Sequence, residues 1–160
     1  MTFKAKLAQE WIKRKGLPAL PCNYESIEEF NVIHIKTIED FESIQNLQSI
    51  VERFTGSAVD SKNLQMVYVL VDSTWIELKR GERYESNYAY ETPIYRNGEK
   101  LIDFITNHVL FAPWYIVTYE KGYSYIEGQE DYDWERLTIH VVHIDSMDIV
   151  NYYLQGVENL

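Results

Sequence analysis

Residues able to do chemistry are few in this chain and thinly spread. The best hydrolytic set is Asp72, Glu77 and Lys79, read in Asp-Ser-Thr-Trp-Ile-Glu-Leu-Lys. Two carboxylates beside a lysine can hold a divalent metal and activate water, the chemistry of a metal-dependent hydrolase or nuclease. Glu77 and Lys79 are two apart and share one face of a strand. Asp72 is so close to them in sequence that it falls in the turn before that strand, and a turn aspartate with a solvated Glu/Lys edge explains the same letters.

The acidic run Glu127, Glu130, Asp131, Asp133 and Glu135 has oxygen donors enough for a hard cation, but not in the order of a calcium-binding loop. A solvated or partner-facing patch fits it better. His140 and His143 are three apart on an expected strand, so they point to opposite faces and do not chelate one ion without a bulge. These two, with His34 and His108, are read as packing and hydrogen-bonding groups. Cys22, the single cysteine, has no basic neighbour or helix start to depress its pKa, so it is not read as a nucleophile. Glycine-rich nucleotide cradles and a serine-hydrolase elbow are both missing from the sequence. The expectation is therefore no catalytic residue, no metal and no cofactor.

Two aromatic segments carry more information. Between Arg83 and Arg96 stand Tyr84, Tyr88, Tyr90 and Tyr95, in a stretch with no strong periodicity. Tyrosine offers broad, amphipathic contact area at low entropic cost and is enriched with arginine in protein interfaces. The opposing reading is a strand with Tyr88 and Tyr90 packed over the fold. Trp134, with Tyr123, Tyr125 and Tyr132, repeats the chemistry among acids.

Charge supplies the context. The 160 residues hold 15 basic and 25 acidic side chains, for a net −10. The first fifteen residues are +4, because Lys4, Lys6, Lys13, Arg14 and Lys15 face only Glu10, and the rest is −14. Between Glu120 and Asp148 eight acids meet two bases, a local −6. Such a body repels phosphate backbones, so free nucleic acid is excluded as a partner and a basic protein is favoured. One cysteine and no long apolar run point to a cytoplasmic protein without a membrane span.

Positioning these residues falls to alternating helices and strands. Phe3, Leu7 and Trp11, widened by Ala8 and Ile12, make residues 1–16 a basic amphipathic helix stopped by Gly16. Ser26 and Glu29 match a capping box over a short helical stretch. Val32–Lys36 alternates as a strand, and Thr37 with Asp40 caps a helix running to Phe54. Leu64–Val71 and Trp75–Lys79 form a hairpin about Asp72-Ser73. Residues 80–96 are the Tyr-rich loop, and a helix follows from Leu101. Trp114–Glu120 and Tyr123–Glu127 flank a Lys121-Gly122 turn. Residues 127–135 are an acidic loop, Arg136–Ile144 is a central strand, and Ser146 caps a last helix ended by Gly156.

The pattern predicts one α+β domain over residues 1–160, with a largely antiparallel or mixed sheet of five to six strands and three to four packed helices. For function it suggests a non-catalytic protein-binding module, an acidic inhibitor or antagonist of a basic, nucleic-acid-handling partner. By composition alone this is analogous to phage anti-defence and toxin-immunity proteins. The hydrolase built on Asp72, Glu77 and Lys79 is one alternative, and a small-molecule-sequestering protein with an aromatic pocket is the other.

Overall fold

Helix α1, Phe3–Arg14, starts where Thr2 can cap it. The Thr2 hydroxyl accepts from Ala5 N at 3.1 Å and donates to Ile27 O at 2.6 Å, tying the helix start to the chain ahead of the first strand. Gly16 ends the turn at φ 68°, a left-handed conformation that glycine adopts without steric cost. The computed structural model describes residues 1–44, 64–78, 101–124 and 132–158. After α1 come β1 (Glu29–Ile35), α2 (helical over residues 38–44), β2 (Leu64–Val71), β3 (Thr74–Glu77), α3 (Leu101–His108), β4 (Trp114–Ser124), β5 (Tyr132–Val142) and α4 (Ser146–Glu158).

The five strands form one mixed sheet in the order β1-β5-β4-β2-β3. All pairings are antiparallel except β1 with β5, which run parallel from Glu29↔Arg136 to Ile35↔Val142. The α+β expectation holds, with five strands and four helices among the described residues. The β2–β3 hairpin turns on Asp72 and Ser73, both at positive φ (49° and 64°), as a two-residue turn matched to strand twist requires.

Each face of the sheet carries its own core. On one side Ala5, Ala8 and Ile12 of α1, with Leu20 and Ile27, cover Val117, Tyr119, Leu137, Ile139 and Val141. On the other, Phe41, Leu101, Phe104, Ile105, Ile149 and Val150 bring α2, α3 and α4 onto Ile35, Val67, Val69, Trp114, Ile116 and Val142. β5 is apolar on both faces because both are covered. Trp75 Nε1 donates to Pro18 O at 2.9 Å, holding the connector after α1 against the sheet.

Several expectations are corrected. The buried stripe of α1 is Ala5, Ala8 and Ile12, while Phe3 (70% exposed) and Leu7 (42%) face outward. Small alanines let the helix lie closer to the sheet than the large residues would. Ser26 and Glu29 cap no helix, since β1 starts at Glu29 and its carboxylate pairs with Arg136 instead. Ser146 does not cap its own helix: its hydroxyl accepts from Leu110 N at 2.5 Å, and its N–H returns to Leu110 O at 2.8 Å. α4 continues through Gly156 to Glu158.

Lys121-Gly122 is no turn. β4 runs unbroken through it, with Lys121↔Glu135 and Gly122↔Trp134 in register. Residues 132–135, expected in the acidic loop, belong to β5, which begins at Tyr132 rather than Arg136 and already ends at Val142, while residues 127–131 lie outside the described residues. Glycine is needed at 122 for contact: a Cβ there would overlap the indole of Trp134. Gly122→Ala is expected to destabilise by about 1–3 kcal/mol through overpacking. Denaturant titration in a Trp134→Ala background checks this, since without the indole the added methyl should cost little.

Candidate acidic edge and histidine groove

The acids and Trp134 of β5 lie where β1, β5 and β4 meet at one end of the sheet. Strand alternation splits them, with Trp134 and Arg136 on one face and Asp133 and Glu135 on the other. The Arg136 guanidinium sits 5.0 Å from the Trp134 ring centre and pairs with Glu29 (Nε–Oε2 2.6 Å) and Glu120 (Nη1–Oε2 3.3 Å). The hydrogen bond from Arg136 holds the Glu29 carboxyl below its ordinary pKa. On the opposite face Lys121 Nζ approaches Glu135 at 3.7 Å. Burial, with Glu135 beside it, pushes the Tyr119 hydroxyl up to about 12. Glu28 joins the edge through its backbone, donating to Glu135 O at 3.0 Å.

Glu29 and Glu120 thus pair with Arg136 on one face and Glu135 with Lys121 on the other, with Asp133 and Glu28 nearby in the chain and Lys4 of α1 acting on Glu29. Glu28 and Glu29 were missed in sequence because the parallel pairing that brings them in spans more than a hundred residues. Of the residues read as partner-binding, Asp133 is exposed and Trp134 and Glu135 are half-buried. Tyr84, Tyr88, Tyr90, Tyr95, Glu127, Glu130 and Asp131 lie outside the described residues, as does Lys79.

Asp72 and Glu77 do not converge. Asp72 is in the β2–β3 turn, whereas Glu77 is at the far end of β3 opposite Tyr68. Burial and, less strongly, the Glu77 charge raise the pKa of the half-buried Cys22, which favours thiol over thiolate. Among the described residues no group of three or more His, Cys, Asp or Glu is placed to hold a metal ion, and no helix is long and apolar enough to cross a membrane.

The other end of the β1–β5 pair collects histidines. His34 Nδ1 and His143 Nε2 are 2.8 Å apart, with ring centres 5.1 Å apart and planes inclined by 19°. These values together place the rings edge to edge, one nitrogen donating to the other, rather than face to face. His108 packs on Phe104 one turn back in α3.

His140 faces the helical layer and is 9% exposed. Its Nε2 is 3.1 Å from Thr118 Oγ1, while its buried Nδ1 has no partner. Burial lowers its pKa to about 4, so the ring is neutral at physiological pH. His140 borders a groove of about 270 Å³ between β1 and α2, whose walls include Ile33, Ile35, Ile44, Asp40 and Ser43, with His34 at its rim. Thr37 positions that wall, its hydroxyl accepting from Asp40 N at 3.2 Å. The lining is aliphatic and polar. Compared with known protein families, curated proteins and solved structures, the chain matches none.

Proposed function

We propose that this protein is a non-catalytic binding module that docks its acidic edge on a basic, nucleic-acid-handling partner protein, as an inhibitor or antagonist of the phage anti-defence or immunity kind. The observation that supports it is the meeting of β1, β5 and β4 at one end of the sheet, where Glu29 and Glu120 lie on one face, Asp133 and Glu135 lie on the other, and Glu28 stands just ahead of β1. Strand pairing holds these carboxylates in a fixed array, so less order is lost on binding than for carboxylates on an unstructured tail. A fixed array of negative charge steers a basic surface toward itself and competes with phosphate for the same cations. Trp134, half-buried beneath Arg136, offers an aromatic anchor beside that charge.

Capture of basic proteins from the source cell, at low and at high salt, tests this reading. The captured partner should be released steeply as salt rises. Reversing the exposed Glu28 and Asp133 together to lysine is expected to weaken capture at least about tenfold, with stability changed by less than about 0.5 kcal/mol. A complex indifferent to both salt and charge reversal would rule the acidic edge out as the docking surface.

A further inference from the structure

We infer that the outer face of α1 docks on the surface of an anionic lipid bilayer. This face is separate from the acidic edge and owes nothing to the reading given for that edge. Phe3, Leu7, Glu10 and Arg14, spaced three or four apart, form the outermost ridge of the helix, opposite the buried Ala5, Ala8 and Ile12. Phe3 is 70% exposed and Leu7 42%, although both are large apolar residues. Exposed apolar residues standing singly are ordinary. Here the two adjoin, one turn apart, and exposed cations border them on both sides: Lys6 and Lys13 on one, Lys4 and Lys15 on the other. Glu10, the one acid of the ridge, is already paired with Arg14 at 3.2 Å. A helix face with hydrocarbon along its centre and long basic side chains along both borders suits a headgroup layer. The apolar groups enter the acyl boundary while the lysine stems reach back to the phosphates.

Charge and hydrocarbon together separate a bilayer from other polyanions. The rest of the chain carries −14 and opposes approach to any of them. In physiological salt that field is screened over about 8 Å. Asp133 and Glu135, on the α1 side of the sheet, lie at the level of its strands, a helix diameter of about 10 Å below the outer ridge. A surface touching the ridge therefore meets the cations at contact and these carboxylates through a screened gap. Lys4, the cation nearest the acids, already acts on Glu29. The remaining pull is modest, so apolar contact has to supplement it. A nucleic-acid backbone has no place for Phe3 and Leu7, whereas a bilayer accepts both anywhere on its surface. At about 18 Å, α1 is too short to cross a bilayer, and its inner face is committed to the sheet, so it lies along the surface.

Flotation of the full chain at about 0.1 M salt is the test, with vesicles of phosphatidylcholine containing about 30% phosphatidylserine and with pure phosphatidylcholine vesicles as the neutral match. Half-maximal binding to the anionic vesicles is expected on the order of 1 mM lipid, weaker than a single acyl chain gives, with none to the neutral ones. Raising the salt to about 0.5 M should release the protein. Phe3→Ser, an exposed change, should weaken binding at least about threefold. Lys6→Glu combined with Lys13→Glu should abolish it. Both variants should keep the circular dichroism spectrum of the unchanged protein. No flotation with anionic vesicles, or equal flotation with both kinds, would overturn the assignment. So would a Phe3→Ser protein that binds as before, because the face would then be a contact for polyanions in general.

Discussion

Trp114→Ala is expected to cost about 3–5 kcal/mol of folding stability, the largest effect of any single substitution considered for this protein. Trp114 opens β4 and is almost fully buried, with its ring 6.3 Å from that of Phe41 and its Nε1 donating to Ile144 O at 2.7 Å. It therefore joins three parts of the helical-side core: α2 through Phe41, the sheet through its own backbone, and the segment entering α4 through Ile144. Alanine would leave a cavity among them and strip Ile144 O of its donor. Trp114→Phe separates the two contributions. It keeps most of the packing and loses the hydrogen bond, for about 1 kcal/mol plus any repacking strain. Denaturant midpoints of the three proteins measure both terms. A loss for alanine no greater than that for phenylalanine would show that the ring's packing contributes little.

The second large effect is a loss of stability in mild acid caused by His140. Its pKa is about 4 in the fold and 6.5 when exposed to water. The unfolded chain therefore takes up a proton below pH 6.5 that the native state refuses. Stability is fully present above pH 6.5 and declines as pH falls from 6.5 to 4, by about 3 kcal/mol in all. His140→Gln cannot titrate, so its stability should be flatter across that window even if lower at pH 7. Urea denaturation of both proteins at intervals from pH 7.5 to 4.5 gives the two slopes. Parallel slopes would mean that His140 is protonated in the native state as easily as in the unfolded one.

Local rules made part of this fold legible. The Asp72-Ser73 hairpin followed from two residues tolerant of positive φ between β-branched runs, and Thr37 with Asp40 marked a helix start that its hydroxyl does cap. Where the reading failed, a distant residue had overridden a local pattern. Lys121-Gly122 has the composition of a turn, yet the glycine makes room for Trp134 on the neighbouring strand. Glu29 completes a capping-box spacing with Ser26, yet its carboxylate is drawn to Arg136. The pairing of His34 with His143 and the gathering of Glu28 and Glu29 into the acidic edge depend on β1 lying beside β5. That neighbourhood leaves no trace in sequence spacing. The groove was illegible for the same reason, since it lies between one strand, one helix and a histidine from another strand.

The parallel β1–β5 pair also governs the order in which the molecule can assemble. Glu29 and Arg136 are 107 residues apart, and β5 is the strand to which β1 is bonded. At ordinary synthesis rates roughly 5–20 s pass between the emergence of one strand and that of the other. Over that interval Ala5, Ala8, Ile12 and Ile35 have no β5 to pack beside. The antiparallel β2–β3 hairpin, closed by a two-residue turn, can form long before. α1 and β1 are thus made well before the strand they dock against.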